Sequence, residues 1–205
     1  GERYRDSEPL SRVIAPPYDV IDPAGRARLA ALDEHNIVHL MLPEAPPPAD
    51  RYAWAAEQLA AWRRQGVLVC DAEPAVYAMA QGARLGVFVA LAAEGYEPRR
   101  VRPHERTHAG PKADRLALLR ATRTNLESIF LLAPDRDRTL AHALAGVATR
   151  SPDATAELDC PLSLSGHRGQ SSETTGAICA AARFRRGARR KRPCRRNENG
   201  SAVYW

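Results

Sequence analysis

The apolar positions change their period several times along the chain, and each change marks an element. Val13 and Ile14 predict a short strand before Pro16-Pro17, which fix an extended turn ahead of Tyr18 and Asp19. Asp22 then stands as an N-cap before Pro23, and Leu29, Leu32 and the alanines between them predict a helix reaching about His35. Asn36 ends it, and the apolar run IVHLMLP at 37–43 predicts a strand closed by proline. His39 inside that run reads as a satisfied histidine, because no second metal-type residue stands two positions away. After the loop EAPPPADRY, Asp50 caps a helix whose buried stripe is Tyr52, Leu59 and Trp62 and whose C′ residue is Gly66.

Beyond Gly66 the pattern turns to strands at 67–71, 74–81 and 84–93, the last two forming an antiparallel hairpin that needs a helix against one face. A helix near 112–123 presents Leu116 and Leu119 inward, with Leu118 as a further candidate, SIFLLAP at 128–134 reads as a fully apolar strand, and 136–148 makes a weaker helix with Leu140 and Leu144 one turn apart. This alternation predicts an α/β (mixed α+β) architecture, a mixed sheet with packed helices, in a domain expected to be incomplete.

The chemistry concentrates between those elements, in the stretch 101–115. His104, Glu105, Thr107, His108, Lys112, Asp114 and Arg115 fall within twelve residues, and the Gly110-Pro111 pair is expected to interrupt regular structure there. Lys112 and Arg115 are the residue types that neutralise phosphate, and backbone amides near Gly110 suit an anion. Glu105 or His104 is suited to act as general base toward a hydroxyl, and Glu105 as a magnesium ligand. Thr107 and His108 are further polar partners, and the rigid turn before Asp19 can present that carboxylate to the same site. The competing reading is a salt-bridged surface loop, with Glu105 paired to Arg102 or Arg106 and Asp114 capping the helix. For Asp19 it is an Asx cap beside a packed Tyr18.

Composition alters this picture mainly at the C-terminus. The net charge of +6 is uneven: residues 1–160 carry 20 Lys+Arg against 22 Asp+Glu, and residues 161–205 carry 10 basic residues against Glu173 and Glu198. A basic nucleic-acid partner surface is therefore expected only through the 161–205 tail. No run approaches a membrane span and no signal-peptide pattern opens the chain, which makes the cytoplasm the expected location. The polar start at Gly1 reads as lacking a few preceding residues. The four cysteines form no C-x-x-C pair and read as free thiols, with a zinc site including His167 as the alternative, and no metal site is assigned.

Together, IAPPYDVID, NIVHLMLPE, the segment RYAWAAEQLAAWRRQGVLVCDAEPAVYAMAQ and RPHERTHAGPKADRLALLRATRTNLESIFLL resemble the bacterial domain-of-unknown-function family numbered 1015, over residues 1 to about 155. The resemblance implies a chain about twice this length with a second motif, Asp-Gly-His-His-Arg-Tyr, similar to the phosphotransfer motif of ParB and sulfiredoxin-like proteins. It further implies nucleotide-dependent phosphotransfer or phosphohydrolysis on a small metabolite such as serine or phosphoserine; the cofactor is not assigned, nucleotide and magnesium being the candidates the resemblance offers. RPHE-x-T and GP-x-ADR match the family's motif positions, which favours Glu105 and His104 as catalytic and Lys112, Arg115, Thr107, Gly110 and Asp114 as phosphate-binding; Asp19, presented by the Pro-Pro turn, is the further catalytic candidate. No Asp-Gly-His-His-Arg string occurs in the 205 residues, so the chain is expected to be inactive alone. Residues 1–155 are accordingly read as the N-terminal part of the family domain and 156–205 as a disordered or frameshifted basic tail. Arginine outnumbers lysine 28 to 2 across the chain, which suits a gene of high G+C content. The alternative is a non-catalytic protein whose tail contacts nucleic acid or an acidic partner.

Overall fold

The computed structural model describes residues 2–6, 8–72, 75–81, 84–91, 108–132, 134–148, 152–158 and 177–185. In chain order they form β1 (Glu2–Tyr4), α1 (Leu10–Val13), a 3-10 turn (Tyr18–Val20), α2 (Pro23–Leu32), α3 (Val38–Met41) and α4 (Arg51–Gln65). There follow β2 (Leu68–Cys70), β3 (Ala75–Gln81), β4 (Arg84–Phe88), α5 (Ala109–Thr122), α6 (Thr139–Ala148), β5 (Ala154–Leu158) and β6 (Ala177–Arg185). The architecture mixes α and β as the sequence indicates. Every described strand pair is antiparallel: β1 with β2, and a four-stranded sheet in the order β4-β3-β6-β5. Residues 177–185, within the basic tail, supply β6.

The caps read from the sequence are in place. Asp22 accepts the Gly25 N–H at 2.6 Å, and Asp50 accepts from Tyr52 and Ala53 at 3.0 and 2.9 Å. Gly66 closes α4 in the left-handed region at φ 72°. From α4, Ala55, Leu59 and Trp62 enter a core shared with Tyr4, Val13, Ile14, Ile37, Leu40, Leu68, Leu118 and Leu126. Each large apolar side chain fully buried there contributes roughly 1.5 to 3 kcal/mol. α6 lies against β3 and β6, covering the sheet that holds the predicted hairpin. Among the described residues no helix is long and apolar enough to cross a membrane.

Six local expectations change, one of them on α5, where Leu118 is buried and Leu116, expected inward, is 40% exposed. Val13 ends α1 rather than opening a strand, and only Ile14 beyond it is extended. The run 37–43 is helical over Val38–Met41, because the Asn36 side chain accepts the Val38 N–H at 3.0 Å and starts a turn. All of Ile37, Val38, Leu40 and Met41 are buried, so the run lacks the alternation that separates strand from helix. Gly110-Pro111 sits inside the first turn of α5, where a proline lacks only an N–H that the helix leaves unpaired. Residues 128–132 adopt no strand among the described residues. Finally, Cys70 is disulfide-bonded and so is not a free thiol; sequence spacing does not report which cysteines approach in space.

Candidate functional site

The turn that carries Asp19 is held at its root by Asn36. This fully buried side chain donates to the Arg12 carbonyl at 2.6 Å and the Ile14 carbonyl at 3.2 Å, on the residues leading into Ala15-Pro16-Pro17. Two prolines fix the backbone from there, and Tyr18–Val20 turns back over the core. Tyr18 packs against the core cluster while Asp19 is exposed.

α5 meets this turn through Arg115. Its guanidinium lies 4.3 Å from the Tyr18 ring centroid, a cation–π geometry. Its Nε donates to Asp114 Oδ2 at 2.9 Å, its Nη2 donates to the same oxygen at 2.5 Å, and its Nη1 donates to the Met41 carbonyl at 2.8 Å. Nη1 also stands 3.6 Å from Glu127 Oε2, and Glu127 Oε1 accepts the Tyr18 N–H at 3.0 Å. The other oxygen of Asp114 accepts from Tyr52 Oη at 2.7 Å and Arg51 Nη2 at 2.6 Å. Thus α4, α5, the Pro-Pro turn and the segment after α5 converge on one guanidinium.

The electrostatics separate the two carboxylates. Burial pushes the Asp114 carboxyl up, but the hydrogen bonds from Arg115 and Tyr52 and the charges of Arg115 and Arg51 outweigh it and hold it below the usual range. For Glu127 burial prevails and raises the carboxyl above its ordinary value. The Arg115 charge and the Tyr18 N–H oppose that rise, and the neighbouring Asp19 charge adds to it. One carboxylate is therefore locked as an anion while the other is pushed toward its protonated form.

Of the residues singled out from the sequence, Asp114 and Arg115 are paired, and Asp19 follows Tyr18 on the turn that meets them, its charge acting on Glu127. Arg115 spends its donors on Asp114, Met41 and Glu127, so it orders the cluster. Lys112 and Gly110 lie exposed in the first turn of α5, where a side chain added at Gly110 would meet nothing within 4 Å. His108 is the N-cap residue but makes no side-chain cap bond. His104, Glu105 and Thr107 lie outside the described residues. Tyr18, Arg51, Tyr52 and Glu127 were not identified as site residues; the one signal for Glu127 was an acidic residue set between Leu126 and the apolar run 129–132.

Among the described residues no group of three His, Cys, Asp or Glu side chains is gathered as a metal site. A magnesium ion near Asp19 and Glu127 would have to be held mainly by the phosphates it accompanies. A cavity of about 530 Å³ lies elsewhere, lined by Tyr4, Leu10, Ser11, Tyr77 and Thr155 among others, and shares no residue with the Arg115 cluster.

The model of a family described as protein of unknown function, DUF1015, matches residues 1–168. No curated protein and no solved structure matches the chain.

Proposed function

The chain belongs to the DUF1015 family, and from that premise we propose that the Arg115 cluster and the first turn of α5 bind a phosphorylated small metabolite or nucleotide. The parent reaction is nucleotide-dependent phosphotransfer or phosphohydrolysis on a metabolite of the serine or phosphoserine type. The observation that carries this reading is the meeting of the Pro-Pro turn with α5 at Arg115, which sets two carboxylates of opposite character beside exposed cations. Lys112, the α5 amides at Ala109 and Gly110, and Arg51 supply the positive side. Glu127, raised toward neutrality and next to Asp19, is placed to take a proton from a hydroxyl nucleophile. Asp114 and Arg115 position these groups. Glu105 and His104, four and five residues before the start of α5, are proposed to complete the general-base side.

With no Asp-Gly-His-His-Arg string in the sequence, ligand binding rather than turnover is the activity expected of this chain. Calorimetric titration with ATP and with phosphoserine tests it. Lys112→Ala and Glu105→Gln should each weaken binding by roughly tenfold, the value of one charge-assisted hydrogen bond. Affinity unchanged in both variants would remove the assignment.

A further inference from the structure

The cavity of about 530 Å³ lies where β1 and α1 meet the start of β5, and its volume falls within the roughly 300 to 1,000 Å³ of small-molecule sites. Tyr4, Leu10, Tyr77 and Ala154 give it an apolar side. Tyr4 donates its hydroxyl to the Val13 and His35 carbonyls at 3.2 and 2.7 Å, so what it offers the cavity is its ring. On the polar side stands an ion pair, in which Arg5 Nη2 donates to Glu8 Oε1 at 2.9 Å. The backbone fixes that pair: the Glu8 N–H donates to the Arg5 carbonyl at 2.9 Å and the Arg5 N–H to the Val67 carbonyl at 2.9 Å. Arg5 Nη1 and Glu8 Oε2 make no hydrogen bond among the described residues. Arg3, on the same wall, is by contrast occupied by Asp71, Asp6 and the Tyr4 carbonyl. The Glu8 side chain is 14% exposed and that of Arg5 51%, so a second charge-assisted bond at Glu8 forms away from bulk water, where it is stronger than at a surface.

We propose that this cavity binds a free α-amino acid with a large apolar side chain. Such a molecule carries an ammonium and a carboxylate on one carbon, and Arg5 and Glu8 present the complementary charges in contact with each other. Laid head to tail along the pair, the ligand donates from its ammonium to Glu8 Oε2 and accepts on its carboxylate from Arg5 Nη1. Every charge then has an opposite neighbour, and the Arg5–Glu8 bond need not break. The ligand's side chain lies toward Tyr4, Leu10 and Tyr77, where burying it supplies the non-directional part of the affinity. A phosphate ester would instead set its double charge beside Glu8, and a simple amine would leave Arg5 Nη1 unused. The site shares no residue with the Arg115 cluster, so the inference is independent of the function proposed for that cluster.

Calorimetric titration of the full chain with L-phenylalanine tests the proposal, beside three probes that each lack one part of it. Phenethylamine has no carboxylate, N-acetyl-L-phenylalanine no ammonium and L-serine no apolar side chain. L-Phenylalanine should bind at one site per chain, and each of the three probes about tenfold or more weaker, the value of one charge-assisted hydrogen bond or one buried ring. Glu8→Gln and, separately, Arg5→Gln should each weaken L-phenylalanine by about tenfold. Glu8→Gln should leave the N-acetyl compound where it was, and Arg5→Gln the amine, because those probes have no charge to lose there. An unchanged thermal transition shows that each variant keeps its fold, and if either does not, the probe series on the unaltered chain decides by itself. ATP at millimolar concentration should not displace L-phenylalanine. No binding of L-phenylalanine up to the millimolar range overturns the proposal. So does equal affinity for all four compounds, full affinity in both folded variants, or displacement by ATP, which would put the ligand in the Arg115 cluster.

Discussion

Replacing Asn36 by alanine isolates the device that holds the Pro-Pro turn. The side chain is fully buried and makes three hydrogen bonds, two donated to the Arg12 and Ile14 carbonyls and one accepted from the Val38 N–H. Alanine leaves the Ile14 carbonyl and Val38 N–H buried without these partners and the Arg12 carbonyl partly so. At about 1 to 3 kcal/mol for each buried group left unsatisfied, and less for the third, the loss is about 3 to 5 kcal/mol. A domain's whole stability is about 5 to 15 kcal/mol, so this one residue accounts for a large share. Asn36→Asp is the companion, because it keeps the Val38 bond but turns a second acceptor toward two carbonyl oxygens. Urea unfolding followed by tryptophan fluorescence reads both, since Trp62 shares the core with Val13 and Ile14. A loss under about 1 kcal/mol in the alanine variant would mean that water or local movement replaces the bonds, and would refute the reasoning.

Two further outcomes follow from single groups. Glu127 holds its proton to higher pH in the folded chain than its ordinary value of 4.5, so the stability belonging to its protonated form is full below about pH 4.5 and lost as pH rises through the folded value. Glu127→Gln stays neutral, and should therefore gain on the wild type as pH is raised from 4 to 7 in parallel unfolding series; a wild type that gains instead would mean the Arg115 pairing outweighs burial. Gly66→Ala should cost about 1 kcal/mol from left-handed backbone strain alone, since the added carbon meets no atom within 4 Å. A neutral result in the same unfolding assay would contradict that.

The elements with strong local signals were legible in the sequence. Asp22-Pro23, Asp50 and Gly66 mark helix ends by their own chemistry, and the structure uses each of them in that role. The hairpin of β3 and β4 was equally readable from its two β-rich runs. The errors came where an apolar run carries no period. Ile37, Val38, Leu40 and Met41 are all buried, and the Asn36 side chain, bonded to the Val38 N–H, starts the turn. Residues 128–132 have strand composition, yet composition supplies no partner strand. The site was half legible: Asp19, Asp114 and Arg115 were singled out, but their arrangement depends on Tyr18, Tyr52 and Glu127, whose roles exist only once distant segments touch. His39 illustrates the reverse, being satisfied as expected, through the Asp33 carbonyl at 3.2 Å, although on a helix.

The bond from the Tyr18 N–H to Glu127 spans 109 positions of sequence. Closing so long a loop costs roughly 4 kcal/mol of chain entropy beyond the constant term, and nothing local offsets it. During vectorial synthesis the Pro-Pro turn, α2, α3 and α4 emerge and can dock while α5 and Glu127 are still unmade, so the cluster is a late product of folding. Until Glu127 arrives, the Tyr18 amide must be served by solvent. The order of assembly thus places completion of the Arg115 cluster after formation of the N-terminal core, and a chain interrupted before residue 127 would fold its first helices without ever possessing the site.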